Sequence, residues 1–480
     1  MAELDNEQGL KRVMKSRHLF MIALGGVIGA GFFNASGFTI SQSGPIGAVL
    51  AYMMGGLIMY LVMLCLGELT VEMPVSGSFQ TYATKYIHPS TGFTVGWIYW
   101  IGWSSTVAYE IIIIGSLMQR WFPDISPWIW SLIAGIVLFS VNALSARSFA
   151  ETEFWFASIK VTAIISFILI GLAAIFGIVP IEGESAAPYF THLTEFGSFP
   201  NGLFAVVIAM MAVNYSLGGT ELVGIASGES ENPEKTIPKA INQTAYRIIL
   251  FFVLSIIIVV SIVPWQQIQP DASPFVTALD NIGIPYAADI MNFVIITSLL
   301  SVANSGLYTT TRMLYSLSSS KMAPRSFQKL TKKGVPLLAL TASMGISCVS
   351  ILVSKVAAET IYTWILSVAG MASMLAWMSI AASQYFFRRR YVAEGGKVSD
   401  LKFRTPLYPL VPILAFVFNL VVLISLVFDE GTKLTIYIGV PVAIAFHLIY
   451  ILFLQKRGKK DVVESSVQED YENARLINKS

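Results

Sequence analysis

The sequence predicts an all-α polytopic membrane protein with twelve transmembrane helices, and three observations carry that prediction. Over 480 residues, hydrophobic types make up 55% and charged types only 12%, about half the charged share of a soluble domain. The apolar residues fall in long blocks, each near or above the roughly 20 residues that cross a bilayer core as helix. Two of those blocks carry a cluster of glycines, and they stand at matching places in two halves of the chain. Such a composition excludes phosphate-loop enzymes, nucleic-acid binders and secreted disulfide scaffolds.

A charged N-terminal tail, 1–18, comes first. Spans follow at roughly 19–41, 46–68, 92–119, 127–146, 154–177, 201–227, 244–263, 286–311, 336–354, 359–387, 407–428 and 434–454, and a tail closes the chain at 455–480. Strands of a membrane barrel would be about half as long and would alternate in polarity. The net charge of +2 hides an uneven distribution. Of the 31 Lys and Arg, only Arg120, Lys355 and Lys433 fall on the side opposite the N-terminus, and Lys160 falls within a span. All the others lie on the N-terminal side. By the positive-inside rule that side is the cytoplasm, so both tails are expected there and the expected location is the cytoplasmic (inner) membrane.

The first span contains GGVIGAG, with Gly25, Gly26, Gly29 and Gly31, and the sixth contains YSLGGTE, with Gly218 and Gly219 before Glu221. Each glycine weakens a helix by roughly 1 kcal/mol, so both spans are expected to unwind. A GxxxG packing face would explain the first cluster alone. Two clusters at matching positions instead suggest a five-plus-five inverted repeat with broken helices 1 and 6, plus two extra helices. The expected units are 19–177, 201–387 and helices 11 and 12 at 407–454.

Backbone groups freed by such breaks cost several kcal/mol each in a bilayer unless they line a cavity or meet a ligand. Half-helix N-termini attract carboxylates and C-termini attract cations. An amino acid zwitterion presents both charges a few ångströms apart, so it fits two facing breaks.

Ionisable residues inside spans are few: Glu68, Glu110, Lys160, Glu221 and Asp289. Each is costly there and marks a functional candidate, with Glu68 and Asp289 near span ends and read as solvated. Lys160 reads either as snorkelling to the surface or as a switch that takes up and releases a proton. Ser301, Asn304 and Ser305 are its candidate polar partners, with interhelical hydrogen bonding the alternative. The aromatic group Trp97, Tyr99, Trp100 and Trp103 reads as an interfacial belt. Cys65 and Cys348 lie in apolar stretches and read as packing residues, and the four histidines show no metal spacing.

The stretches RHLFMIALGGVIGAGFF (17–33), LGELTVEMPVSGSF (66–79), EFWFASIKV (153–161), GGTELVGIASGESENPEKTIPKAI (218–241) and ANSGLYTTTRMLYSLS (303–318) resemble the amino acid–polyamine–organocation superfamily, and within it the bacterial amino acid transporter family. EFWF, SPFV (273–276), GIPYAADI (283–290) and NSGLY are most similar to S-methylmethionine permeases. The resemblance implies proton-coupled import of an amino acid, with a small-molecule substrate, the lipid bilayer as surroundings, a proton gradient as driving force, and no cofactor, metal or nucleic acid. It implies no enzyme activity. It places the substrate carboxylate at the first break, on Ile28, Gly29, Ala30 and Gly31. The amino group falls at Tyr215, Ser216, Gly219, Thr220 and Glu221. Proton coupling falls to Lys160 and Glu110, with Glu110 also a candidate substrate contact. An S-methylmethionine-like cation would suit the buried carboxylates. Permeation of another amino acid (basic, aromatic, threonine-like or 4-aminobutyrate), exchange, or sensing without transport are the alternative readings.

Overall fold

A computed structural model describes residue 10 and residues 14–455, except 182–186, 196, 198, 271, 355–357 and 429–432. The side chains of 23–24, 243–248 and 350–368 are likewise left undescribed. The expected C-terminal tail beyond 455, most of the N-terminal tail, and Lys355 therefore lie outside the described residues.

Every described element is helical. In chain order they are α1 (Ser16–Gly25), α2 (Ala30–Phe33), α3 (Ala35–Glu72), α4 (Phe79–Tyr86), α5 (Pro89–Met118), α6 (Pro127–Leu144), α7 (Ala146–Ile175) and α8 (Leu203–Leu217). There follow α9 (Leu222–Ala226), α10 (Pro233–Ile262), α11 (Pro274–Ile282), α12 (Ala287–Ser319), α13 (Leu337–Ser354), α14 (Ala358–Ala393), α15 (Leu410–Ser425) and α16 (Lys433–Ile449). Their starts are written in the sequence. Proline opens α5, α6, α10 and α11, where its missing N–H has no helical partner to lose. His88 Nδ1 accepts the Ser90 N–H at 3.2 Å ahead of α5, and Ser145 Oγ accepts the Ser148 N–H at 3.0 Å ahead of α7. Both are N-caps that satisfy an orphan donor.

Among the described residues, eight helical stretches are long and apolar enough to cross a membrane: Ala30–Glu72, Pro89–Met118, Pro127–Leu144, Ala146–Ile175, Leu203–Glu229, Ala287–Ser319, Leu410–Phe428 and Lys433–Leu454. Ile249–Ile262 and Leu337–Val349 are shorter apolar segments of α10 and α13. The sequence leads one to expect a loop between the first two spans. The structure has instead a kink at Gly44 (φ 74°, ψ 178°), directly before Pro45. A side chain there would collide with the Pro200 ring, 2.5 Å from where its Cβ would stand, so only glycine makes this corner.

The layers sort by burial. The apolar window of α12 is 83% buried and that of Lys433–Leu454 only 6%, so α12 is central and α16 faces outward. α3 packs on α8 and α10, α5 on α12 and α14, and α7 on α12 and α1.

Two ion pairs tie distant segments together inside this bundle. Arg312 Nε donates to Glu229 Oε1 at 2.7 Å, joined by the Tyr308 hydroxyl at 2.7 Å. Arg388 Nε donates to Glu68 Oε1 at 2.6 Å, and the Thr405 N–H reaches Glu68 Oε2 at 2.7 Å. Glu68 is thus fully buried and paired, not solvated as its position near a span end suggested. Asp289 fits that expectation: it is half-exposed and pairs with Arg120 at 2.5 Å.

Candidate substrate site

The two glycine clusters fold as two broken helices that touch. α1 stops at Gly25, the chain runs through an extended Gly29 (φ −148°, ψ −149°), and α2 starts at Ala30. α8 stops at Leu217 and α9 starts at Leu222, with Gly219 between them at φ +107°. That left-handed turn favours glycine, and a Cβ on Gly219 would strike the Gly26 carbonyl. A Cβ on Gly31 would stand 2.7 Å from Ser216 Cα, and one on Gly29 would stand 2.5 Å from Val302 Cγ2. Absence of side chains therefore lets the two breaks lie backbone to backbone.

Between them lies a cavity lined by Gly26, Val27, Gly29 and Gly31 of the first break, Trp103, Thr106 and Glu110 of α5, and Tyr215 and Gly218 of the second break. Val302 of α12 and Ala369 and Ser373 of α14 complete its wall. Its volume is about 20 Å³, room for about one water, where small-ligand pockets run roughly 300–1,000 Å³. The arrangement is closed, and an amino acid can occupy it only after the helices part. Two larger hollows, about 540 and 510 Å³, lie away from the breaks, one against α7, α11 and α12 and the other against α5, α14, α15 and α16, and have almost wholly apolar linings.

Of the residues assigned from sequence, Gly29, Gly31, Glu110 and Tyr215 line the cavity. Glu110 is buried, and its Oε2 faces the Ala30 N–H at 3.4 Å, at the start of α2. The others stand behind the wall. The Ile28 carbonyl is taken by Lys160. Ser216 Oγ donates to the Gly31 carbonyl, pinning α8 to α2. Thr220 Oγ1 donates to the Leu217 carbonyl at 3.4 Å. Glu221 is fully buried and accepts from Tyr99 at 2.6 Å, Trp377 Nε1 at 3.0 Å and the Gly219 N–H at 3.1 Å. It props the second break from behind. The aromatic group on α5, read as an interfacial belt, divides: Tyr99 holds Glu221 and Trp103 walls the cavity.

Lys160 does not snorkel. It is fully buried, and its Nζ donates to the carbonyls of Gly25 at 2.6 Å, Ile28 at 2.9 Å and Ser298 at 3.5 Å. The ammonium thus caps the C-terminal end of α1, where carbonyls have lost their helical partners and a cation is stabilised. Its expected partners are otherwise engaged. Ser301 Oγ and Asn304 Nδ2 donate to Glu153 instead, and the buried Ser305 hydroxyl makes no hydrogen bond to the lysine. Glu153, fully buried, is the acid that sequence reasoning missed, because it stands one residue before the expected start of the fifth span. Its spacing was the available signal, since Glu153 and Lys160 are seven residues apart and share one helix face.

A sequence profile for the family described as "Amino acid permease" matches residues 18–462. The chain belongs to the amino acid permease family. It is 56% identical over 97% of its length to the amino-acid permease RocC of Bacillus subtilis (strain 168), covering 99% of that protein. It is 43% identical to the lysine-specific permease LysP of Escherichia coli (strain K12), over 90% of this chain and 91% of that one. Among solved structures it is similar to MhsT in complex with L-phenylalanine, with a TM-score of 0.62 at 15% identity, over 87% of this chain and 99% of that one. At that identity the likeness bears on the fold alone. This permease is therefore a multi-pass membrane transporter of amino acids, of the amino acid–polyamine–organocation superfamily, and not an enzyme.

Proposed function

We propose that this permease imports an amino acid with a cationic side chain, together with a proton, across the cytoplasmic membrane. The observation that carries the reading is a count of buried charge. Among the described residues, the buried acids Glu68 and Glu229 each have an arginine partner. Glu110, Glu153 and Glu221, grouped around the two breaks, have only Lys160 among them. Ionised, these four groups carry two more negative charges than positive ones. Buried charge in a low-dielectric site is stable only when paired or neutralised. A substrate cation and one proton supply the balance.

The placement of Glu110 supports the proton half of the reading. Its carboxylate occupies the start of α2, the end of a half-helix that would receive a substrate carboxylate. Two carboxylates can share that place only when one is protonated. Lys160, holding the carbonyls at the end of α1 as a coupling cation would, ties the same break to the charge it carries. Lysine-specific and histidine permeases among the relatives favour a cationic substrate, and S-methylmethionine belongs to the same charge class. The Lys and Arg distribution favours an N-terminus in the cytoplasm, and the two breaks favour repeat units at 19–177 and 201–387.

The test is uptake into liposomes holding the purified protein, under an inward acid gradient, of radiolabelled lysine, arginine, histidine and S-methylmethionine beside alanine, phenylalanine and 4-aminobutyrate. The reading predicts saturable uptake of one or more cationic members and at least a tenfold preference over the neutral ones, about 1.4 kcal/mol. Preference for a neutral amino acid would overturn the substrate class. Uptake that ignores the gradient and needs amino acid inside would make the protein an exchanger.

A further inference from the structure

We propose that Glu153 is the proton acceptor of Lys160, so that the coupling proton is held by a Lys160–Glu153 pair and not by the lysine alone. The inference rests on the proton-coupled reading above. Lys160 Nζ is ringed by the carbonyl oxygens of Gly25, Ile28 and Ser298. These accept hydrogen bonds but are not bases, so the proton must pass to another acceptor, and Glu153 is the buried carboxylate on the same helix. Glu153 lies on the same face of α7, about 10 Å along the axis, and both long side chains converge on one residue. The ammonium holds the Gly25 carbonyl, and the carboxylate lies so close to Gly25 Cα that any Cβ there would strike Glu153 Oε1. Glycine at 25 leaves room for both groups beside the end of α1, where they stand more than 4 Å apart without an ion pair, so the transfer runs through one intervening water.

The surroundings orient that carboxylate. Ser301 Oγ and Asn304 Nδ2 of α12 donate to its two oxygens, the amide at 3.2 Å, and Asn142 Nδ2 of α6 donates to Asn304 Oδ1 at 2.8 Å. From α6 and α12 the pair thus meets amide and hydroxyl groups. On α1, Arg17 and His18 engage Glu151, not Glu153. The further charge that acts on the pair is Glu110 of α5, through Lys160.

The step balances. An Nζ–H bond breaks and an Oε–H bond forms; the ammonium becomes an amine and the carboxylate a carboxyl, so the pair is neutral before and after. The amine no longer makes charge-assisted bonds to Gly25 and Ile28, which loosens α1 from α7. Glu153 lies only two residues from the half-exposed Glu151, at the end of α7 from which the proton can leave once α1 moves.

The test uses the full chain in liposomes with radiolabelled lysine, read in two ways: counterflow exchange at equal pH, and accumulation across a one-unit inward acid gradient. One-to-one coupling supports about tenfold accumulation per pH unit. The proposal expects Glu153→Gln to lose this accumulation while counterflow persists, matching Lys160→Ala. Wild-type accumulation and an unchanged pH profile in Glu153→Gln would overturn the proposal and leave the role of Lys160 standing. Failure of the wild-type protein to respond to the gradient would instead remove the proton-coupled reading beneath it. Should Glu153→Gln show neither flux, Ser301→Ala decides. Loss of one donor to the carboxylate should move the pH midpoint of uptake upward by about one unit, and an unmoved midpoint overturns the proposal.

Discussion

Arg312→Met is the perturbation whose size the structure sets most clearly. The guanidinium is 2% exposed and Glu229 1%. Nε lies 2.7 Å and Nη2 3.4 Å from the two carboxylate oxygens, and the guanidinium carbon stands 4.1 Å from the Tyr308 ring centroid. Phe149 stacks on that ring at 4.2 Å. The pair also anchors a backbone clip: the Met14 N–H donates to the Glu229 carbonyl at 3.0 Å, and the Glu231 N–H to the Met14 carbonyl at 3.1 Å. Removing the arginine leaves a buried carboxylate with the Tyr308 hydroxyl as its remaining side-chain donor, at a cost of about 3–5 kcal/mol. Glu229→Gln strands the arginine and should cost a similar amount. Removing both charges in Arg312→Met with Glu229→Gln leaves nothing uncompensated, and such replacements are often close to neutral. The double variant should therefore melt above either single variant, with a coupling of at least about 2 kcal/mol in the cycle. The assay is thermal unfolding of the purified protein in detergent, followed by tryptophan fluorescence. Additive shifts, with the double variant the least stable of the three, would refute the reasoning.

Three further outcomes follow from the site. Lys160→Ala should abolish gradient-driven accumulation of radiolabelled lysine while equilibrium binding, read by thermal shift with lysine, persists; an unchanged pH dependence of uptake would remove the role assigned to it. Gly31→Val should destabilise the closed bundle by about 1–3 kcal/mol through overpacking and eliminate uptake, because its Cβ would meet the Ser216 backbone at 2.7 Å; normal uptake by this variant would mean that the breaks do not need to touch. Tyr99→Phe removes one of three donors to buried Glu221 and should lower stability by about 1.5–3 kcal/mol, measured as a melting shift. No shift would mean that the carboxylate does not depend on that bond.

The breaks were legible because unwinding needs residues that tolerate both unusual dihedrals and close backbone approach, and in a chain otherwise built from apolar spans the clusters at Gly25–Gly31 and Gly218–Gly219 stand out. Lys160 was legible for the opposite reason, as a costly residue where cost demands a function. What stayed hidden was pairing. Nothing in the chain near Glu68 announces Arg388, 320 residues away, and nothing near Glu229 announces Arg312, so span-end acids look solvated until the fold closes over them. Glu153 was lost because the fifth span was expected to start at 154, just after it, whereas α7 begins at Ala146, and with it went the true partner of Ser301 and Asn304. Glu221 shows a subtler limit. Its place after the second break points to the substrate, while Tyr99 and Trp377, which turn it into a prop, come from α5 and α14.

The most direct test of proton-coupled import of a cationic amino acid is to add lysine outside liposomes that hold the protein and a trapped pH-sensitive dye, with no gradient imposed. The account predicts that the lumen acidifies as lysine enters, and that Lys160→Ala removes the acidification. Lysine entering while the lumen pH stays constant would contradict it.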